Sequence, residues 1–261
     1  MPLPDHVATA WRRLDRIVAD VRETPWGAVV TDPASPAIWD TNYARVERPV
    51  GLAELERDLL PALARAGVRT EHIVSFDPVA HASLVSELTR RGHTVGADAV
   101  LDLPPDAVPM ASPEIDVEEL PPGPELWVAV EASFGVFGVE PPEAAGQLLR
   151  IERDRLAPAG KRWFGVREPG GAIVSIGALV PLGAAAYVDN VATLPRARRR
   201  GAARAITVRI VTEARSVGTG RVFLLADPGG PAVRLYERLG FREVGRLETT
   251  RGPVPDQPTN L

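Results

Sequence analysis

The chain has 261 residues, 45% of them hydrophobic, and a formal net charge of -4, so it can bury one large core or two smaller ones. It contains no cysteine, which excludes disulfides, thiolate nucleophiles and cysteine-ligated metals. Mild acidity argues against a dedicated nucleic-acid binder, whose affinity comes mostly from phosphate neutralisation by a basic domain.

The start, "MPLPDHVATAW", lacks the basic and apolar regions of a signal peptide, and no apolar window reaches the ~18 residues of a membrane span. The expectation is a cytoplasmic protein that does not engage a membrane. Lys161 is the only lysine among 30 basic residues, in a chain rich in Ala, Pro and Gly, which reads as the composition of a GC-rich, bacterial-type genome.

In chain order, Ala8, Trp11, Leu14, Val18 and Val21 recur at helical spacing and predict an amphipathic helix over 8–21. A short strand is expected at 25–30, then loop at 32–42, where Pro, Asp, Ser and Asn punctuate the chain. A helix over 52–66 should be kinked or split by Pro61. A strand at 72–77, a helix at 79–91 stopped by Gly92, and a strand at 93–103 complete a small α/β unit.

The proline-rich stretch 104–125 reads as a linker with one strand at 114–119. Helices at 124–134 and 141–157 precede strands at 161–168, 172–182 and 184–194, the first two joined by a Pro-Gly-Gly turn. Between the two helices, "FGVFGVE" (134–140) reads as a mobile lid. A helix at 200–217, a strand at 221–227, a helix at 231–240 and a last strand from Phe241 follow. The expected division is therefore a small α/β domain at 1–105, a linker at 106–113, a second domain at 114–249 and a disordered tail at 250–261.

"RARRRGAARAI" (196–206) places four arginines within five positions at the head of a helix, with Gly201 at the turn. A helix start leaves backbone N–H groups unpaired at the positive end of the dipole, which suits phosphate. Arginine adds charge and forked donors. The spacing fits neither a nucleotide P-loop nor a dinucleotide fingerprint. In this acidic chain the local charge suits a small anionic ligand.

Arg198-Arg199-Arg200-Gly201-Ala202-Ala203 resembles the [Q/R]-x-x-G-x-[G/A] pyrophosphate loop of the GNAT superfamily of acyl-CoA-dependent N-acyltransferases. "LYERLGF" (235–241) resembles that family's second signature, and together the resemblance covers about 114–249. It implies an α/β fold with a GNAT-type mixed central sheet flanked by helices, and acetyl-CoA as co-substrate with no metal. Amides of Arg199 to Arg204 would hold the CoA pyrophosphate, with Arg198, Arg200, Gly201, Ala202 and Ala203 completing the loop. Val191, Ala192 and Thr193 would line the pantetheine arm, Val191 and Thr193 pairing with it as with an added strand. A backbone N–H near Val191 would stabilise the oxyanion. Tyr236 matches the tyrosine that protonates the departing thiolate. Gly229 stands where many members carry an asparagine.

All four histidines, His6, His72, His81 and His93, lie in the first half, and their spacing is not that of a helical metal site. A base must then be a carboxylate or come from the N-terminal domain. Asp189 is the leading candidate, because charge inside a strand needs a reason, with Glu131 and Glu140 behind it. The expected activity is direct acetyl transfer to a primary amine of an unidentified acceptor by a monomer or homodimer. The alternative is a non-catalytic acyl-CoA-binding sensor.

"LVSELTRRGHTVG" (84–96) echoes "VRLYERLGFREVG" (233–245), with Leu88 near the place of Tyr236. The first half therefore reads as a degenerate half-copy with no obvious CoA site. Its most site-like stretch, "IWDTNYARV" (38–46), could equally be a core anchor.

Overall fold

The computed structural model, which describes residues 2–107, 109, 115–140 and 142–255, mixes helices and strands in both halves of the sequence. The elements are α1 (Asp5–Val18), β1 (Asp20–Thr24), β2 (Gly27–Thr31), β3 (Tyr43–Val46), α2 (Leu52–Ala66), β4 (Thr70–Ser75), α3 (Pro78–Arg90) and β5 (Thr94–Leu103). The second half adds β6 (Glu118–Leu120), α4 (Pro124–Phe137), α5 (Pro142–Ile151), a π-helical turn (Glu152–Leu156), β7 (Arg162–Arg167), β8 (Ile173–Leu182) and β9 (Ala185–Thr193). It ends with α6 (Ala202–Ser216), β10 (Arg221–Ala226), α7 (Pro231–Arg238) and β11 (Arg242–Pro253).

Local chemistry sets these boundaries. Asp77 caps α3 by accepting from the Val79 N–H at 2.9 Å, and Pro78 sits where a missing N–H costs nothing. Gly67 and Gly138 end α2 and α4 in the left-handed conformation that glycine adopts without strain. Pro61 lies inside α2, which runs unbroken from Leu52 to Ala66, so the proline does not split the helix. Six buried side chains of α2, Leu55, Leu59 and Leu63 among them, anchor the helix on both sides of that proline.

The described chain forms two units that interleave in sequence. Of the described residues, unit 1 comprises 2–3, 18–98 and 246–255, and unit 2 comprises those within 4–17 and 99–245. In unit 1, β1, β2 and β3 pair antiparallel in series, and β4 lies parallel to β3 after the α2 crossover. In unit 2, β7, β8 and β9 repeat that pattern, and β10 lies parallel to β9 after α6. Both halves of the sequence thus run β-β-β-α-β-α-β, a mixed sheet with helices.

The last strand of each half is exchanged. Residues 99–103 of β5 pair antiparallel with β10 inside unit 2, and residues 248–253 of β11 pair antiparallel with β4 inside unit 1. This accounts for residues 250–253, expected to begin a tail, being strand: Thr250 opposes Ile73 and Pro253 opposes Thr70. Residues 256–261, and most of the expected linker 106–113, lie outside the described residues. The opening helix α1 belongs to unit 2, where Trp11 meets Tyr187 edge-on and His6 Nε2 lies 3.1 Å from Asp102 Oδ1.

The stretch 38–46 proves to be an anchor. Asn42 is fully buried and its Nδ2 donates to the carbonyls of Ser35 (2.9 Å) and Ile38 (2.8 Å), which sets the loop before the buried β3. The expected loop ends at Asn42, and the chain turns to strand at Tyr43, where all four residues of β3 are buried and no polar alternation marks the strand in the sequence.

Unit 1 also buries Glu71 on β4, 3.3 Å from His93 Nε2, where Gly252 leaves space for the imidazole. Burial pushes the Glu71 carboxyl up to about 7, with Glu56 adding to the shift and Arg91 opposing it. A carboxyl raised in the fold contributes stability that is full below its ordinary value of 4.5 and is lost as pH rises through about 7. Glu71→Gln should therefore gain stability relative to the parent as pH goes from 4.5 to 7.5. Urea denaturation across that range would show a widening gap; a constant gap would mean Glu71 is ionised in the fold.

Candidate active site

Unit 2 holds the site, and β9 organises it. The parallel ladder between β9 and β10 runs from Ala185 opposite Arg221 to Val188 opposite Leu224 and ends there, although β9 continues to Thr193. On its other side β9 stays paired with β8, Thr193 opposing Ser175 and Ala192 opposing Ile176. The Leu194 N–H donates to the Val174 carbonyl at 2.9 Å. By antiparallel alternation, Val191 and Thr193 then turn their backbone groups away from β8, toward the side that β10 has left. The result is a short open strand edge inside the unit.

A bulge produces this edge. Ile176 opposes Ala192 and Ala178 opposes Asp189, so Asn190 and Val191 together face Gly177. Asn190 sits at φ 51°, a left-handed conformation that asparagine tolerates better than most residues. Gly177 has a packing reason to be glycine: a Cβ there would lie 2.6 Å from Ile206 Cγ2 on α6 and 3.2 Å from Val191 Cγ2. Its bare backbone lets α6 seat against the bulge.

Beyond β9, Pro195–Ala197 make one 3₁₀ turn, Arg199 takes φ 62°, and Gly201 takes φ 89° as the residue that opens α6. No side chain among the described residues caps α6, so its first amides face outward. They border a cleft of about 500 Å³ lined by Thr193, Arg198, Arg199, Gly201 to Arg204, and by Leu235, Arg238 and Leu239 around α7. The arginines divide their work. Arg196 pairs with Glu168 at 3.0 Å, and Arg198 Nε donates to the Thr193 carbonyl at 3.2 Å. Arg199 and Arg200 are exposed.

Tyr236 is 7% exposed on α7, its ring edge-on to Phe241. Burial pushes its phenol up to about 12, so it remains a proton donor throughout the neutral range. Gly229, at φ 84° in the turn before α7, has open space where a Cβ would stand.

Asp189 is hydrogen-bonded through both its oxygens. Its Oδ2 accepts from Lys161 Nζ at 2.6 Å, and its Oδ1 accepts from the Asn190 N–H at 2.8 Å. Lys161 also donates to Glu152 Oε1 at 2.8 Å, and the Asn190 Nδ2 reaches that same oxygen at 3.2 Å. Against the cost of burying it, Asp189 and Glu152 hold the Lys161 ammonium above the usual lysine range, so it stays charged. Glu131 and Glu140 are exposed. The expected lid at 134–140 is instead the last turn of α4 and its cap, with Phe134 buried against the core and Phe137 exposed. Among the described residues no group of three or more His, Asp or Glu could hold a metal.

Residues 126–241 match the sequence model of the acetyltransferase (GNAT) family. Those residues are a GNAT-family acetyltransferase domain. No curated protein matches it significantly in sequence. Among solved structures, a functionally unknown conserved protein from Staphylococcus epidermidis aligns with a TM-score of 0.70 at 14% identity, covering 90% of this chain and 94% of its own. A GCN5-related N-acetyltransferase from Kribbella flavida aligns at 0.64 with 18% identity, covering 98% and 97%. A tandem GNAT protein from the clavulanic acid biosynthesis pathway aligns at 0.53 with 14% identity, covering 82% and 77%. At these identities the likeness is one of fold.

Two features of the chain escaped the sequence reading. Lys161 and Glu152 stand nine residues apart with no motif between them, and only the lysine's being the single one in the chain marked it. The other is Arg48-Pro49-Val50-Gly51-Leu52-Ala53, which has the same R-x-x-G-x-A spacing as the loop before α6 and also leads into a helix, although Gly51 is extended at φ -77° where Gly201 is left-handed. Here the strands do not part. β3 and β4 pair to Val46 and Ser75, and the Phe76 N–H donates to the Val46 carbonyl at 2.9 Å, closing the edge that β9 leaves open.

The packing at Gly177 can be tested directly. Gly177→Val should cost about 1–3 kcal/mol by forcing α6 outward, read as a lower urea midpoint at unchanged slope. An unchanged midpoint would mean that α6 is not seated by this contact.

Proposed function

We propose that the chain is an acetyl-CoA-dependent N-acetyltransferase that passes acetyl directly to a primary amine in a ternary complex. The observation that carries this reading is the open edge of β9 running straight into the uncapped start of α6. A pantetheine arm offers alternating amide donors and acceptors that can pair with Val191 and Thr193 as a strand would. Its pyrophosphate would then meet the amides of Arg199 to Arg204, where the dipole and the arginines favour negative charge. The exposed Arg199 and Arg200 would also steer the anion into the cleft.

In the chemical step the amine nitrogen attacks the thioester carbonyl, a C–N bond forms and the C–S bond breaks. A backbone N–H near Val191 would stabilise the oxyanion. Tyr236, whose phenol is protonated throughout the neutral range, acts as the catalytic acid toward the CoA thiolate; the amine's own proton leaves to water, and the phenolate takes a proton back from water. The base expected at Asp189 is not retained, because both its oxygens are held. The absence of cysteine leaves no thiol for a cysteinyl-acyl intermediate, in keeping with direct transfer.

Calorimetric titration of acetyl-CoA tests the reading. The parent should bind, and Gly201→Glu should abolish binding by bulk and charge in the loop. Tyr236→Phe should lower kcat by about 100-fold with acetyl-CoA affinity nearly unchanged. Unchanged turnover would remove Tyr236 from the mechanism. Binding without turnover across a panel of amines would make the chain an acyl-CoA-binding module instead.

A further inference from the structure

The bulge on β9 is held by a closed ring of polar contacts that the proposed chemistry does not use. Asp189 and Asn190 are adjacent on β9, Lys161 immediately precedes β7, and Glu152 opens the π-helical turn after α5. The ring runs from the Asn190 N–H to Asp189 Oδ1, from Lys161 Nζ to Asp189 Oδ2, from Lys161 to Glu152 Oε1, and from Asn190 Nδ2 back to Glu152. Asn190 is tied through both its backbone and its side chain. The Lys161 side chain is fully buried, with Nζ 4.4 Å above the Trp163 ring.

Three costs are accepted to build this ring. A non-glycine residue is held at positive φ, an ammonium is withdrawn from water, and α5 is widened into a π turn at Glu152. Cheaper apolar packing could fill the same volume. What apolar packing could not do is fix two successive residues of a strand against one on its neighbour, which requires directional bonds to named atoms. The only lysine among 30 basic residues occupies the centre. A compact ammonium can donate to two carboxylates at once, where a planar guanidinium would need a wider site.

We propose that Lys161, acting through Glu152, Asp189 and Asn190, is a positioning residue for acyl-CoA: the ring sets the bulge, and the bulge sets the open edge that registers the pantetheine arm. The inference rests on the N-acetyltransferase reading above. Lys161 touches neither substrate; it pre-organises the backbone that does.

Two ligands separate this role from general stabilisation. Acetyl-CoA needs both the β9 edge and the α6 loop, whereas 3′-phosphoadenosine 5′-diphosphate carries the pyrophosphate and no pantetheine. In Lys161→Met, calorimetry should show acetyl-CoA affinity falling about tenfold or more as pre-organisation is lost, with the short nucleotide binding as in the parent. Asn190→Gly keeps the positive φ without strain and removes only the Glu152 tether, so it should stay folded and show the same selective loss in smaller measure. Equal losses for both ligands, or no loss for acetyl-CoA in either variant, would overturn the proposal. A parent protein that binds neither ligand would overturn the N-acetyltransferase reading, and this inference with it.

Discussion

A parallel ladder that stops at Val188 is the constraint from which the rest of the site follows. Strand pairing is cooperative, and an unpaired stretch of buried backbone leaves donors and acceptors without partners. Ending a ladder while its strand continues is therefore costly unless something else will pair there. The β9 bulge makes the ending definite rather than frayed, and Gly177 brings α6 close enough that its uncapped amides border the same opening. Edge, helix start and cleft are consequences of one departure from regular pairing.

Unit 1 shows what the same plan becomes without that departure. It repeats the order of strands and crossover helix, and even the R-x-x-G-x-A spacing ahead of α2. Yet β3 is buried throughout, and its ladder with β4 is carried on by the Phe76 to Val46 hydrogen bond. A helix start alone offers an anion some attraction, but no slot leads away from it. The comparison within a single chain separates the loop motif, which sequence can display, from the strand splay, which it cannot.

That separation explains what could be read in advance. Elements with strong local signals were legible: α3 with its Asp-Pro start and Gly92 stop, α6 with its apolar face, and the Pro-Gly-Gly hairpin of β7 and β8. The arginine turn and "LYERLGF" were legible because short motifs carry them. The exchange of β5 and β11 was not, because which strand pairs with which is decided by long-range packing, and both strands are equally plausible partners for their own halves. Tyr43–Val46 hid because a wholly buried strand shows no alternation. Asp189 stands out in the sequence as a charge inside a strand, but its partner lies 28 residues back, at a distance no local pattern measures.

The arginine cluster shows how a charge run resolves into separate tasks once neighbours are known. Arg196 is matched by Glu168, and Arg198 spends its donor on the Thr193 carbonyl, which holds the end of β9 against the turn. Those two are structural. Arg199 is set apart by its positive φ, which turns the chain toward the helix start, and with Arg200 it stays exposed beside open amides. In a chain of net charge -4, an exposed positive pair here adds little to folding, since surface charges stabilise weakly. Its physical effect is on what approaches: it raises the local concentration of anions at a helix start that an open strand edge adjoins. In the proposed complex the charge and the splayed strand are complementary, one drawing in phosphates and the other offering an extended arm a place to pair.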